Sequence, residues 1–170
     1  MIFFSLFWAY FHSALVTSNG IYNSWPPLGI ESVDYLSIPL LGSIVLLSSG
    51  FFVTLSHHAF LNGNKKLTIE FGVLTIILGI IFTILQLTEY IYGTFTIADS
   101  VYGTVFYMTT GLHGIHVLAG TIFLLIQYIR IYYEDLTLEH HLAFEFSIIY
   151  WHLVDVIWLG VYLVYYWFGS

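Results

Sequence analysis

DSVYGTVFYMTTGLHGIHVLAGTIFLLIQYIR, Asp99 to Arg130, is the stretch whose reading decides the fold. For more than 25 residues after Asp99 it carries no formal charge. A helix rises about 1.5 Å per residue, so about 20 apolar residues cross a hydrocarbon core of about 30 Å. The stretch is therefore long enough to span a bilayer. Yet it buries two histidines, His113 and His116, near its middle, with Gly111, Gly114 and Gly120 close by. Polar side chains at membrane depth turn toward other helices, and small residues let those helices approach. This helix belongs inside a bundle.

Composition extends that reading to the whole chain. Of its 170 residues 59% are hydrophobic and only 8% charged, where soluble domains carry about 25% charged residues. The protein is read as an integral membrane protein. It has no cysteine, which excludes disulfides, thiolate metal sites and dithiol redox motifs. The net charge of −7 comes from scattered acids. Lys65, Lys66 and Arg130 are the only lysines and arginines, so there is no basic footprint for nucleic acid. The opening MIFFSLFWAYFHSAL has neither a positive n-region nor a small-residue cleavage site and reads as a membrane segment. The bias toward Tyr, Phe and Ile suits translation from an AT-rich genome such as an organelle's.

Taken in order, Met1 to about Val16 is apolar but short, and the turn formers Thr17, Ser18, Asn19 and Gly20 end it. A polar loop follows to about Ser37, and Trp25-Pro26-Pro27 in its middle excludes helix there. Ser37 is expected to cap the next helix, with Pro39 in its first turn. That helix runs to about Leu61 and closes with His57-His58. The short turn Asn62 to Lys66 sends the following helix back antiparallel, from about Leu67 to Tyr92. Asp99 is expected to cap the central helix. After Arg130 an acidic turn, Glu134 and Asp135, leads past Glu139-His140-His141 to a last helix ending in the aromatic run Tyr162 to Trp167. The fold class is all-α: a polytopic transmembrane helix bundle of four full spans plus the C-terminal end of a fifth helix, one domain over residues 1–170. Alternation of ends puts Lys65, Lys66 and Arg130 on one side, cytoplasmic or matrix by the positive-inside rule. The Trp-Pro-Pro loop, the Gly93 turn and the C-terminus fall on the other.

Eight histidines invite a metal reading. His113 and His116 are three apart and share a helix face, and imidazole ligates iron, copper or zinc. The rival function is a membrane di-iron desaturase or hydroxylase. Against it, His57-His58 follows Val53 and Thr54, and His140-His141 follows Leu136 and Thr137, where further ligands would be needed. Both pairs also lie about 20 Å from the mid-membrane histidines at 1.5 Å per residue. A haem held by one histidine from each of two helices is compatible with the spacing. The favoured alternative is that His113 and His116 hydrogen-bond between helices, worth about 1 kcal/mol each. His152 and Asp155, also three apart, could orient a base or relay a proton; with no nucleophile beside them they are read as a structural pair. Glu89, one turn after Gln86, is read as an interhelical contact rather than a step on a proton path. Arg130, with His140 and His141 at the same level, either binds a phospholipid phosphate through its planar fork or snorkels to headgroups. Lys65 and Lys66 are read as topology determinants. A small-solute transporter would need a discontinuous helix or an internal repeat, and the sequence has neither.

Six motifs then converge. WPPLGI (Trp25 to Ile30), SHHAFLNGNKK (Ser56 to Lys66), LQLTEY (Leu85 to Tyr90), FTIADSVYG (Phe95 to Gly103), TGLHGIHV (Thr110 to Val117) and YWHLVDVIWL (Tyr150 to Leu159) resemble cytochrome c oxidase subunit III, in family order and spacing across essentially the whole chain. The resemblance implies a non-catalytic core subunit of respiratory complex IV, supporting electron transfer from cytochrome c to oxygen and proton pumping. It implies no catalytic residue, haem, copper or other metal in this chain; haem a and copper sit in partner subunits I and II, and the subunit packs on subunit I. It implies structural phospholipids in a cleft between two helical groups. By match to family positions, His12 and Arg130 are candidates for lipid headgroup contacts and Trp8 for an acyl-chain contact. His113, His116, His152 and Asp155 match positions inside the large helical group. The implied location is the mitochondrial inner membrane, or the plasma membrane of a bacterium. The motifs cover helices III to VII of the family's seven. The expectation that follows is a split subunit, with a separate polypeptide supplying the first helices.

Overall fold

The computed structural model describes residues 1–17, 25–137 and 140–169. They form α1 (Ile2–Thr17), α2 (Ile38–Leu61), α3 (Lys65–Tyr92), α4 (Val101–Tyr132) and α5 (Leu142–Val161), the last continuing as a π-helix over Tyr162–Trp167. There is no strand among the described residues. Four helices, of 24, 28, 32 and 26 residues with the π segment included, are long and apolar enough to cross a membrane. α1 is shorter, at 16 residues.

The four long helices run alternately up and down. α2 and α3 form an antiparallel hairpin, α4 packs on α3, and α5 closes the ring against α4 and α2. α1 lies antiparallel on one half of α4: Phe3 meets His116 with ring centroids 5.4 Å apart, and Tyr10 meets Tyr102 at 6.2 Å. The three basic side chains do fall at one end. Lys65 reaches the turn after α4, donating to Glu134 Oε1 at 2.7 Å. At the other end Thr94 Oγ1 donates to Glu31 O at 2.8 Å, and Tyr162 Oη to Tyr35 O at 3.1 Å.

Local chemistry sets the helix ends, in places differently from the sequence expectation. Ser37 occupies the cap position of α2, but its hydroxyl donates back to Asp34 O at 2.6 Å and caps nothing. Asp99 is not the cap of α4. Ser100 is, accepting from the Gly103 amide, while Asp99 Oδ2 accepts from the Thr96 amide and holds the preceding turn. α3 starts two residues before the expected Leu67, because the Asn64 side chain accepts from the Leu67 amide at 3.2 Å. The tight α2–α3 turn needs a left-handed residue, and Gly63 supplies it at φ 72°. The matching position after α4 is filled by Glu134 at φ 64°, a conformation rare outside glycine. The turn expected at Ser18 to Gly20, and Glu139, lie outside the described residues.

The interior is keyed by α5. Trp151 is fully buried and its indole N–H donates to Ser49 Oγ of α2 at 3.0 Å. Its ring lies over Gly79 of α3 and Gly120 of α4 so closely that a Cβ at Gly79 would come within 2.8 Å of it. One tryptophan thus touches the other three spans. Two turns toward the far end, Trp158 repeats the bond to α2, donating to Ser43 Oγ at 2.9 Å. Lipid tails are as apolar as leucine, so such packing and polar contacts, rather than hydrophobic exclusion, hold spans together.

Candidate functional site

The ionisable side chains singled out within the spans fall at three places, each against a neighbouring helix. Near the end of α3, Glu89 is 6% exposed and accepts a 2.6 Å hydrogen bond from Tyr166 Oη of the π segment. Gln86 Nε2 donates to the same Tyr166 oxygen at 3.4 Å. Glu89 also borders an outer cavity of about 190 Å³ that Asp34, Ser37 and Thr94 help to line. Tyr165, the residue before Tyr166, turns the other way and shares a 2.9 Å hydrogen bond with Thr109 of α4. Successive helical residues point about 100° apart, so the two buried tyrosines of this π segment, in which Phe168 N–H bonds Leu163 O, meet different neighbours.

At mid-span, His113 is 1% exposed, and its Nε2 pairs with Val154 O of α5 at 3.2 Å. Its ring packs between Phe82 and Trp158, at 5.7 and 5.1 Å. This is the interhelical bond the sequence suggests. His116 differs: its Nδ1 pairs with Leu112 O of its own helix at 2.8 Å. Its ring reaches other helices by stacking on Tyr150 of α5 and meeting Phe3 of α1 edge to face. For His116 the i−4 carbonyl is the group within reach of Nδ1, and it takes the bond.

The third group joins α2 and α5. His152 Nε2 meets Thr54 Oγ1 at 3.2 Å, and Nδ1 faces Asp155 Oδ2 at 3.9 Å, too far for a hydrogen bond. Asp155 is 5% exposed and lies against Gly50, where an added Cβ would collide with its Oδ2. The sequence pairs His152 with Asp155; Thr54 and Gly50, their partners on α2, had no spacing signal to reveal them.

The residues read from sequence as lipid contacts fall at two ends. Trp8 and His12 are exposed one turn apart on α1. His12 borders an open cavity of about 420 Å³ with Trp25, Pro27, Ser100 and Val101. Arg130 lies at the opposite end of α4, half-buried, with Nη1 donating to Gln127 Oε1 at 3.4 Å. His140 is exposed, and His141 Nε2 pairs with Glu145 Oε1 at 3.2 Å, His57 coming within 4.0 Å of that oxygen. Lys65 does more than mark topology: its hydrogen bond and charge hold the Glu134 carboxyl below the ordinary glutamate value. Among the described residues no set of three His, Asp or Glu side chains is arranged to hold a metal ion.

These features define a multi-pass helical membrane protein whose buried polar groups tie its helices to one another. The chain belongs to the cytochrome c oxidase subunit III family, whose model matches residues 1–170. Its relatives include the cytochrome c oxidase subunit 3 of Paracentrotus lividus, 51% identical over 99% of this chain and 64% of that protein. That of Allomyces macrogynus is 51% identical over 100% of this chain and 62% of its own length. That of Anopheles gambiae is 49% identical over 99% and 64%. The chain thus spans just under two thirds of the length of the curated relatives it matches.

Proposed function

We propose that this chain is a non-catalytic core part of cytochrome c oxidase, in the mitochondrial inner membrane. It packs beside subunits I and II, whose haem a and copper carry electrons from cytochrome c to oxygen with proton pumping, and it holds structural phospholipids. The observation that carries this reading is the family match over all 170 residues at about 50% identity. The site geometry supports the non-catalytic part, since Glu89, His113 and His152 each spend a polar atom on a neighbouring helix. For lipid, two regions are suited. At one end His12 borders an open cavity with Val16, Trp25 and Ser100, and Trp8 is exposed one turn before it on α1. At the other, among the described residues Arg130 makes one long side-chain bond, to Gln127, of the five its guanidinium can donate.

The test is purification in mild detergent through a tag on this chain, with haem spectra, metal assays and mass spectrometry of partners. Haem a and copper should arrive with the large oxidase subunits and leave when the chain is stripped from them. Non-haem iron retained by the isolated chain would overturn the reading in favour of a di-iron enzyme. A small partner with two or three hydrophobic segments is the outcome that the split-subunit expectation requires.

A further inference from the structure

The face between α2 and α5 carries a polar group where a lipid-facing surface has none. His152 sits about 15 Å into α5 from Leu142, counting 1.5 Å per residue, well inside a 26-residue span. Even so, 43% of its side-chain surface is exposed. Around it the surface is apolar: Phe51 of α2 and Ile149 and Val156 of α5 are 62%, 62% and 64% exposed. The ring's chemistry is fixed by its neighbours. The Thr54 hydroxyl donates to Gly50 O at 3.0 Å, so toward His152 it accepts, and Nε2 carries the imidazole proton. Nδ1 is left as an acceptor. Among the described residues it has no hydrogen-bond partner, the nearby Asp155 carboxylate standing at 3.9 Å. Hydrocarbon offers no donor, and ionisable side chains at this depth face protein or a water-filled cavity.

We propose that the α2–α5 face seats a membrane-spanning helix of another polypeptide, and that a side chain of that helix donates a hydrogen bond to His152 Nδ1. The apolar rim of Phe51, Ile149 and Val156 packs against the helix and excludes water from the bond. The partner is defined by chemistry: an apolar segment of about 20 residues with a Ser, Thr, Asn, Gln, Tyr or Trp at the depth of His152. The proposal rests on this chain working within an assembly, and the haem and copper content of the same preparation tests that separately.

The chain has no cysteine, so Val156→Cys and Ile149→Cys each give it a single attachment point for a thiol-linked benzophenone in the assembled complex. Photolysis should yield adducts from both positions with one polypeptide, the crosslinked peptides mapping inside an apolar segment that carries such a donor. Adducts with lipid alone, or with water-exposed segments alone, would overturn the proposal. Both variants keep His152, so this result stands even if His152 variants fail to assemble. Where they assemble, His152→Leu should lose the crosslinked partner at least several-fold faster in a detergent wash, and His152→Gln should retain it. Equal retention by both variants would overturn the hydrogen bond.

Discussion

Tyr166 and Glu89 are joined by a 2.6 Å hydrogen bond between the π-helical end of the chain and the end of α3. The pair buries a carboxyl by giving it a donor from another helix, and Gln86 steadies the same phenol. Tyr166→Phe removes that donor and leaves Glu89 buried. We expect a loss of about 1 to 2 kcal/mol, the upper part of the range for interhelical bonds in membranes. Glu89→Gln keeps an acceptor for Tyr166 and should cost less than half as much. Denaturation of the purified protein in bicelles orders the two variants; the reverse order would refute the arrangement.

At Gly79, α3 lies so near Trp151 that an added Cβ would come within 2.8 Å of its ring. Gly79→Ala drives a methyl into a ring that also bonds Ser49, so the three-helix key must shift as a unit. Overpacking of this kind costs about 1 to 3 kcal/mol. Gly114→Ala, on the same bundle but with nothing within 4 Å of the added carbon, should be near neutral. Parallel thermal melts of the two variants check the contrast.

The Lys65–Glu134 pair should respond to acid. Its hydrogen bond and charge depress the Glu134 carboxyl below its ordinary 4.5, so the pair contributes to the fold above that pH. The contribution fades as pH falls through the lower folded-state value. Lys65→Met should return the Glu134 titration to the ordinary value, which carbon-13 NMR of labelled glutamate reads directly. Both side chains are exposed, so salt should weaken the depression.

Arg130 and His12 should affect retained phospholipid separately, because they lie at opposite ends of the bundle. Arg130→Leu is expected to remove most of the phospholipid that survives delipidating washes at its end, and Arg130→Lys only part, since lysine lacks the planar fork. His12→Leu should act on a different lipid population. Native mass spectrometry of the washed complex would distinguish two losses from one; a single shared loss would count against two lipid regions.

Much of this fold was legible because the signals were long and repeated. Uncharged runs gave the four spans, Pro39 and Asn62-Gly63 marked their limits, and the alternation of the spans brought the three basic residues to one end. The details that failed were competitions between near-equivalent partners. Ser37 and Asp99 have good capping side chains, but each is captured by a nearer backbone group in the preceding turn. His116 finds its own helix before another. The cross-helix partners Thr54, Gly50 and Tyr166 stayed hidden because closeness between spans leaves no spacing rule in one sequence. Glu134 gave no warning of its left-handed backbone, since the compensating Lys65 lies 69 residues away.

The π-helix over Tyr162–Trp167 also gives the last span a spare residue. Phe168 N–H reaches back five residues to Leu163 O, where an α-helix reaches four. Deleting Val164 alone would convert that wide turn to an α turn and leave Tyr165 and Tyr166 near their present phase, still serving α4 and α3. A deletion in the α-helical part of α5 has no such slack and swings everything beyond it by about 100°. One-residue deletions should therefore be tolerated better within this π segment than between Leu142 and Val161.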